Sequence, residues 1–276
     1  MEITRGHEDA ALTNNVCAIE CEYTVTGSGP PLFLVHGIGA ARDAWRFVLP
    51  ALSQHFTVIT YDLRGHGLSD RPGGPFGGLE ELVADLECVR ERSGFERCHF
   101  AGHSLGGMIV PAYARLHPNR VLSLGLLSTA AGRTGNDRRA VRGVIEAMEE
   151  KGIDPVLGTL TDRWFTDSFI ARNRPIVQRR LRQVIETDPD VFMEVFRIYA
   201  ETEMLPWLGE ITAPALVMTG ENDGGCSPRL NARIAEVMPN ARLVVIPGVK
   251  HAILTEVPDR VAEEMIGFHC QVGDGC

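Results

Sequence analysis

The sequence predicts an α/β fold, a mostly parallel sheet flanked by helices and interrupted by a helical insertion. Three observations predict it. Short apolar runs suited to buried strands alternate with helical periodicity over the first 130 residues. From Ala131 to Trp207 the alternation stops and only helical stretches rich in Arg, Asp and Glu remain, until strands resume at Ala215. Finally, Gly-His-Ser-Leu-Gly-Gly at 102–107 lies between a strand pattern and a helix pattern. The division expected is a core of 1–130 with 208–276, and an insertion over 131–207.

Taken in order, VCAIECEYTV at 16–25 alternates apolar and polar residues, as a half-buried strand does. PLFLV at 31–35 is a continuous apolar run for a strand covered on both faces. Asp43 offers a cap for a helix through His55, and TVITY at 57–61 makes the next strand. Leu79, Leu82, Val83, Leu86 and Val89 recur at helical spacing, and Gly94 ends that helix. CHFAG at 98–102, a helix over 105–117 and VLSLGLLS at 121–128 repeat the unit. The insertion reads as helices at 137–151, 154–164, 168–187 and 189–203, with Pro155 and Pro189 placed for first turns. ALVMTG at 215–220, a helix at 228–238, RLVVIP at 242–247 and a helix over 258–268 complete the core.

Composition excludes several classes. With 27 basic and 36 acidic residues the net charge is −9, whereas a nucleic-acid binder needs a cationic surplus. No apolar run reaches the roughly 18 residues of a membrane span. The polar start, MEITRGHEDA, is unlike a signal peptide. Seven cysteines with no CxxC pair read as reduced thiols in a cytoplasmic protein. Of the basic residues only Lys151 and Lys250 are not Arg. The expected partner is a small molecule, anionic substrates included, since 131–206 holds 12 basic against 13 acidic residues and is near neutral.

Ser104 sits where a strand would turn sharply into a helix, flanked by Gly102 and Gly106, whose lack of side chains lets neighbouring backbone approach. A serine hydroxyl is a weak nucleophile and needs a base oriented by an acid. His251 follows the last strand and Asp223 the one before it, so both fall at the carboxyl edge of the sheet; Glu221 is the rival acid. His103 adjoins Ser104 too closely to approach it from the correct side, and His7, His55, His99, His117 and His269 read as structural. Oxyanion donors are expected from the backbone N–H of Leu105, at a helix start, and of Ile38 in the HGIG loop, with His36 holding that loop. No cofactor is called for, and no His, Cys or Asp cluster has metal-ligand spacing.

HGIG at 36–39, DLRGHGLS at 62–69, GHSLGG at 102–107, GENDGGCSP at 220–228 and His251 with EVP at 256–258 together resemble the cap-bearing branch of the α/β-hydrolase superfamily, over nearly all of the core. The resemblance implies a Ser104–His251–Asp223 triad and makes Asp62, Arg64 and His66 scaffold residues. It makes the insertion a cap that closes over the nucleophile. DRWFT at 162–166 and the following Thr187-Asp188 resemble 3-oxoadipate enol-lactonases and related ring-catabolism hydrolases. That points to a small carboxylated ester or enol-lactone. The alternatives are C–C hydrolysis of a ring-cleavage diketone, or a ligand receptor built on the fold. His103 and Ala252 depart from the first alternative's usual Asn and Trp, and 132–145 lacks the aromatic expected of a lactonase cap. Trp164 and Phe165 are candidates for the pocket, and Arg138 or Arg139 (with Arg133 and Arg142) for a substrate carboxylate.

Overall fold

The computed structural model describes residues 17–272. The polar start with its His7, the first residue of the expected opening strand (Val16), and Cys276 lie outside the described residues. The strands are β1 (Tyr23–Thr26), β2 (Pro31–Val35), β3 (Thr57–Tyr61), β4 (Cys98–His103), β5 (Val121–Leu127), β6 (Ala215–Gly220) and β7 (Ala241–Ile246). They form one sheet in the order β1-β3-β2-β4-β5-β6-β7. Only β1 runs antiparallel; every other pairing is parallel. The central strands are buried on both faces, which is why they read as unbroken apolar runs.

The opening strand is shorter than the expected 16–25. Residues ahead of Tyr23 bond instead to the loop after β3, where Glu20 and Glu22 carbonyls accept from Asp70 and Asp62 N–H. The expected helix over 43–55 is also broken, into a 3-10 turn at Arg42–Trp45 and a short α1 (Leu49–Leu52) with Pro50 in its first turn. By contrast α2 (Leu79–Ser93) has the expected bounds and ends on Gly94 at φ 80°. The remaining core helices are α3 (Gly106–Leu116), α10 (Pro228–Val237), α11 (Ile253–Glu256) and α12 (Pro258–Val272).

Between β5 and β6 the chain is helical: α4 (Gly135–Lys151), α5 (Leu157–Trp164), α6 (Asp167–Arg172), α7 (Arg174–Glu186), α8 (Pro189–Glu201) and α9 (Leu205–Leu208). Thr134 and Asp137 form a reciprocal capping box at the start of α4, while Asp188 caps α8. The single helix expected over 168–187 is two, α6 and α7, because Asn173 leaves the helical region and Pro175 fits only a first turn. Two apolar clusters cover the two faces of the sheet, and a third, around Val144, Leu160, Val184 and Phe192, forms inside the insertion. None of the described helices is long and apolar enough to cross a membrane.

The expectation of reduced thiols is overturned. Cys17 and Cys88 are disulfide-bonded with Cα atoms 5.9 Å apart, and Cys270 is also disulfide-bonded. The pairing spans 71 residues and joins the segment before β1 to α2, a contact that only the fold creates. Cys21, Cys98 and Cys226 are free and buried. The bond withdraws the support that thiol chemistry gave to a cytoplasmic setting.

Candidate active site

Ser104 follows β4 directly and has φ 57°, a left-handed conformation that is costly for a non-glycine residue. The strain is held by close packing. A Cβ on Gly102 would lie 2.0 Å from the Gly106 carbonyl oxygen, and one on Gly106 would lie 2.1 Å from that of Val35. Only glycine fits at either place. The Ser104 N–H donates to the Leu127 carbonyl at 2.9 Å, and α3 begins two residues later. Ser104 is thereby lifted above the carboxyl edge, as the local pattern predicted.

His251 lies in the loop after β7 and Asp223 just beyond β6. His251 Nδ1 and Asp223 Oδ2 are 2.7 Å apart. A carboxylate only accepts, so Nδ1 carries the proton and Nε2 of the neutral ring keeps its lone pair. Asp223 Oδ1 accepts from the N–H groups of Gly225 and Cys226 at 3.0 and 2.8 Å. Burial opposes charge on both groups, yet the Asp223 carboxylate raises the His251 pKa, while His251 and the two amides lower that of Asp223. Glu221, the rival acid, instead accepts from Gly248 N–H at 2.9 Å. Ser104, His251 and Asp223 line one cavity. Among the described residues no hydrogen bond joins Ser104 Oγ to His251, and such contacts often tighten only when substrate is bound.

Ile38 and Leu105 lie on either side of Ser104, in the loop after β2 and at the start of α3. Their N–H groups donate to no protein acceptor among the described residues. The loop comes close because a Cβ on Gly37 would be 2.9 Å from Ser104 Cβ. Its shape is fixed by two buried rings. His36 Nδ1–H donates to Gly37 O at 2.8 Å, and its Nε2 accepts from Leu63 N–H at 2.9 Å. His66 Nδ1–H donates to Arg64 O at 3.0 Å and Nε2 accepts from Gly39 N–H at 3.2 Å. Burial holds both neutral, at about 4 and about 3. Asp62 accepts from Arg42 and Leu68 N–H, and Arg64 forks onto Asp85 at 2.6 and 2.8 Å. None of these four polar groups points into the cavity.

The insertion roofs the cavity. Trp164 and Phe165 both line it, and the Trp164 carbonyl accepts from Ala252 N–H at 2.9 Å, next to His251. Arg138 and Arg139 do not line it. Arg138 pairs with Glu203 at 3.7 Å and Arg139 with Asn136, both at the outer start of α4. Arg133 is buried, bonded to the Tyr199 and Thr202 carbonyls and stacked on the Tyr199 ring. The arginines that do reach the cavity are Arg46, Arg163 and Arg180. Arg180 carried a sequence signal: on α7, Val177, Arg180, Leu181 and Val184 share the inward stripe.

Two further residues take places that the sequence reading did not assign them. His103, though beside Ser104, packs its ring 4.9 Å from that of His251 and donates from Nε2 to the His251 carbonyl at 3.1 Å. Burial and the neighbouring His251 lower its pKa to about 3, so it stays neutral. Cys226 places its thiol beside His251 and 3.3 Å from the Tyr199 hydroxyl. Linear spacing showed no metal-ligand set, but the fold gathers ligand atoms of Asp223, Cys226 and His251 within 4.8 Å of one another. Asp223 already spends its oxygens on His251 and two amides.

Residues 30–183 match the family described as alpha/beta hydrolase fold. The chain is 28% identical to (E)-2-((N-methylformamido)methylene)succinate hydrolase of Acinetobacter baylyi, over 92% of this chain and 94% of that one. It is 27% identical to 3-oxoadipate enol-lactonase 2 of the same species, over 70% and 72%. Among solved structures, an enol-lactonase from Burkholderia xenovorans LB400 superposes with TM-score 0.84 at 26% identity, covering 91% and 96% of the two chains.

Proposed function

This chain belongs to the alpha/beta hydrolase fold family, and from that premise we propose that it is a cofactor-independent serine hydrolase of a small carboxylated ester or enol-lactone. The observation that carries the reading is the 2.7 Å His251–Asp223 pair set in one cavity with a strained, outward-held Ser104. His251 Nε2 takes the Ser104 proton as Oγ attacks the carbonyl carbon. The N–H groups of Ile38 and Leu105 bond to the oxyanion, each worth about 3 kcal/mol in the transition state. His251 protonates the leaving oxygen, then takes a proton from water, which attacks the acyl-enzyme, and returns it to Ser104 Oγ as the C–Oγ bond breaks and the acid leaves; Asp223 stabilises the imidazolium formed at each step. Helices 131–207 act as the cap that seals the reaction from bulk water.

The acidic substrate class is supported by the named reactions of the relatives, a succinate derivative in one and the 3-oxoadipate enol-lactone in the other. A fluorophosphonate probe should label Ser104 in the native protein and leave Ser104→Ala unlabelled. Turnover of an enol-lactone or hemiester with no turnover of a ring-cleavage diketone is expected. The reverse preference would move the assignment to C–C hydrolysis, and absence of labelling would overturn it.

A further inference from the structure

Three cysteines are free among the described residues, and one of them meets the cavity. Cys21 and Cys98 are enclosed in the core, where burial pushes both thiols up to about 12, and neither lines the cavity. Cys226 is as buried, yet it forms part of the cavity wall together with Asp223, His251 and Tyr199. Its thiol hydrogen-bonds to the His251 side chain and lies 3.3 Å from the Tyr199 hydroxyl. The hydrolytic cycle has no use for it, since nucleophile, base and acid are complete without a sulfur.

A thiol, an imidazole and a carboxylate are the donors that a divalent cation of the zinc type takes. Here one ligand atom of each lies within 4.8 Å of the other two. Around a tetrahedral zinc, with bonds of about 2.0–2.3 Å, neighbouring ligand atoms stand about 3.6 Å apart. A turn about the Cys226 Cα–Cβ bond closes a gap of that size. Asp223 serves in either of two ways. Its Oδ2 accepts one hydrogen bond from His251 and keeps a second lone pair for an ion. Left in its present bond, it holds the ring as an outer partner, which strengthens a histidine ligand. Charge also balances. With the thiol proton released to solvent, a dication, a thiolate and the carboxylate sum to zero. Arg133, whose charge reaches Cys226, and the cavity cation Arg180 therefore face a neutral complex.

We propose that Cys226, His251 and Asp223 form an inhibitory site for a zinc-type divalent cation, which switches the hydrolase off by taking the lone pair of its base. Bound at Nε2, the ion occupies the electron pair that accepts the Ser104 proton. Bound at Nδ1, it drives the ring proton to Nε2, which then donates and no longer accepts. Either way Ser104 loses its base while the fold stays intact. The inhibition rests on the hydrolase reading given above, but the binding of the ion does not.

Cadmium is the probe, because its bond to sulfur gives an ultraviolet charge-transfer band that reports binding without turnover. In buffer free of thiols and chelators, Cd²⁺ should produce that band and suppress hydrolysis of 4-nitrophenyl butyrate over the same concentration range. Zn²⁺ should compete with it, and excess EDTA should restore activity, as it would not after oxidation or unfolding. Cys226→Ser leaves Cys21, Cys98 and the triad in place. It should abolish the band and raise the half-inhibitory Cd²⁺ concentration, against its own uninhibited rate, by roughly 30-fold or more. Equal inhibition in the two proteins, or a band that survives the substitution, would overturn the site, as would the absence of both effects in the native chain. His251→Ala, followed by the band alone, should weaken cadmium by roughly tenfold or more. That titration keeps the test open where Cys226→Ser does not fold, and unchanged affinity in it overturns the proposal. If no ester turns over and no fluorophosphonate label appears, while the band still depends on Cys226, the hydrolase reading falls and the ion site stands.

Discussion

Two pairs of packed imidazoles lie on the same side of the sheet, each beside a serine, and their chemistry diverges. His103 and His251 meet at the carboxyl edge, with ring centroids 4.9 Å apart, next to Ser104. His99 and His269 meet inside the core at 5.3 Å, and Ser123 Oγ lies 2.7 Å from Nδ1 of each. His99 and His103 are four apart on β4, so strand alternation sends both to one face. What separates the pairs is a carboxylate and a cavity. Asp223 raises the His251 pKa, whereas burial alone lowers that of His99 to about 4, and burial with the neighbouring His99 lowers that of His269 well below its ordinary value. Serine beside histidine is therefore not a site in itself. The acid supplies the charge that makes imidazole a strong base, and the cavity supplies the substrate.

The largest test sets the serines against each other. Ser104→Ala should cut kcat/KM by about 10⁴-fold or more, since nucleophile and base act as a unit. Ser123→Ala should leave kcat/KM within about twofold but lower the unfolding free energy by roughly 1–3 kcal/mol, because two buried ring nitrogens lose their shared partner. Steady-state rates and urea titrations read both. Comparable activity losses in the two variants would erase the distinction.

The acid comes next. Asp223→Asn should reduce kcat by about 10³- to 10⁴-fold by releasing the Nδ1–H tautomer and destabilising the imidazolium. Its second effect is diagnostic. The base must be neutral to act, so kcat/KM rises with pH through the His251 pKa of the free enzyme. Asp223 holds that value up, and without it the limb should move to lower pH. A limb that stays in place would show that another group sets it.

Much of this contrast was legible in the sequence, and the limits were physical. Ser104 could be read because its strained turn demands Gly102 and Gly106 at fixed offsets, a purely local requirement. Asp223 and His251 could be read because parallel strands deliver their following loops to one edge. Arg138 and Arg139 fall outside the cavity while Arg180 lines it, since the cap's internal packing decides which helix stripe turns inward. His103 was discounted on backbone grounds, although its ring only had to reach the His251 carbonyl. The Cys17–Cys88 bond joins segments that no local pattern relates. The break at Asn173 was written in Pro175, but a helical pattern on both sides masked it.

The smallest effect separates His251 from the core pair by the sign of its proton linkage. His99 binds its proton near 6.5 when exposed and near 4 when folded, so between those values the unfolded chain holds more protons than the native one. Stability contributed by keeping it neutral is present above about 6.5 and is lost as pH falls towards 4. His269 has the same sign; the groups facing it are Phe56, His99, Ser123 and Phe268, with no carboxylate among them. His251 has the opposite sign. Its raised pKa contributes stability that is fully present below about 6.5 and is lost as pH rises through the folded value. Acid lability therefore belongs to the core pair, along with the likewise lowered His36, His66 and His103. His269→Leu keeps the apolar surroundings filled while removing one such group. It should flatten the loss of unfolding free energy between pH 6.5 and 4 by up to about 1.4 kcal/mol per pH unit, and leave the pH dependence of kcat/KM unchanged. Urea midpoints measured at half-unit steps would show it. A slope equal to that of the unmodified protein would mean that His269 does not take up a proton on unfolding, and the contrast between the two pairs would then rest on catalysis alone.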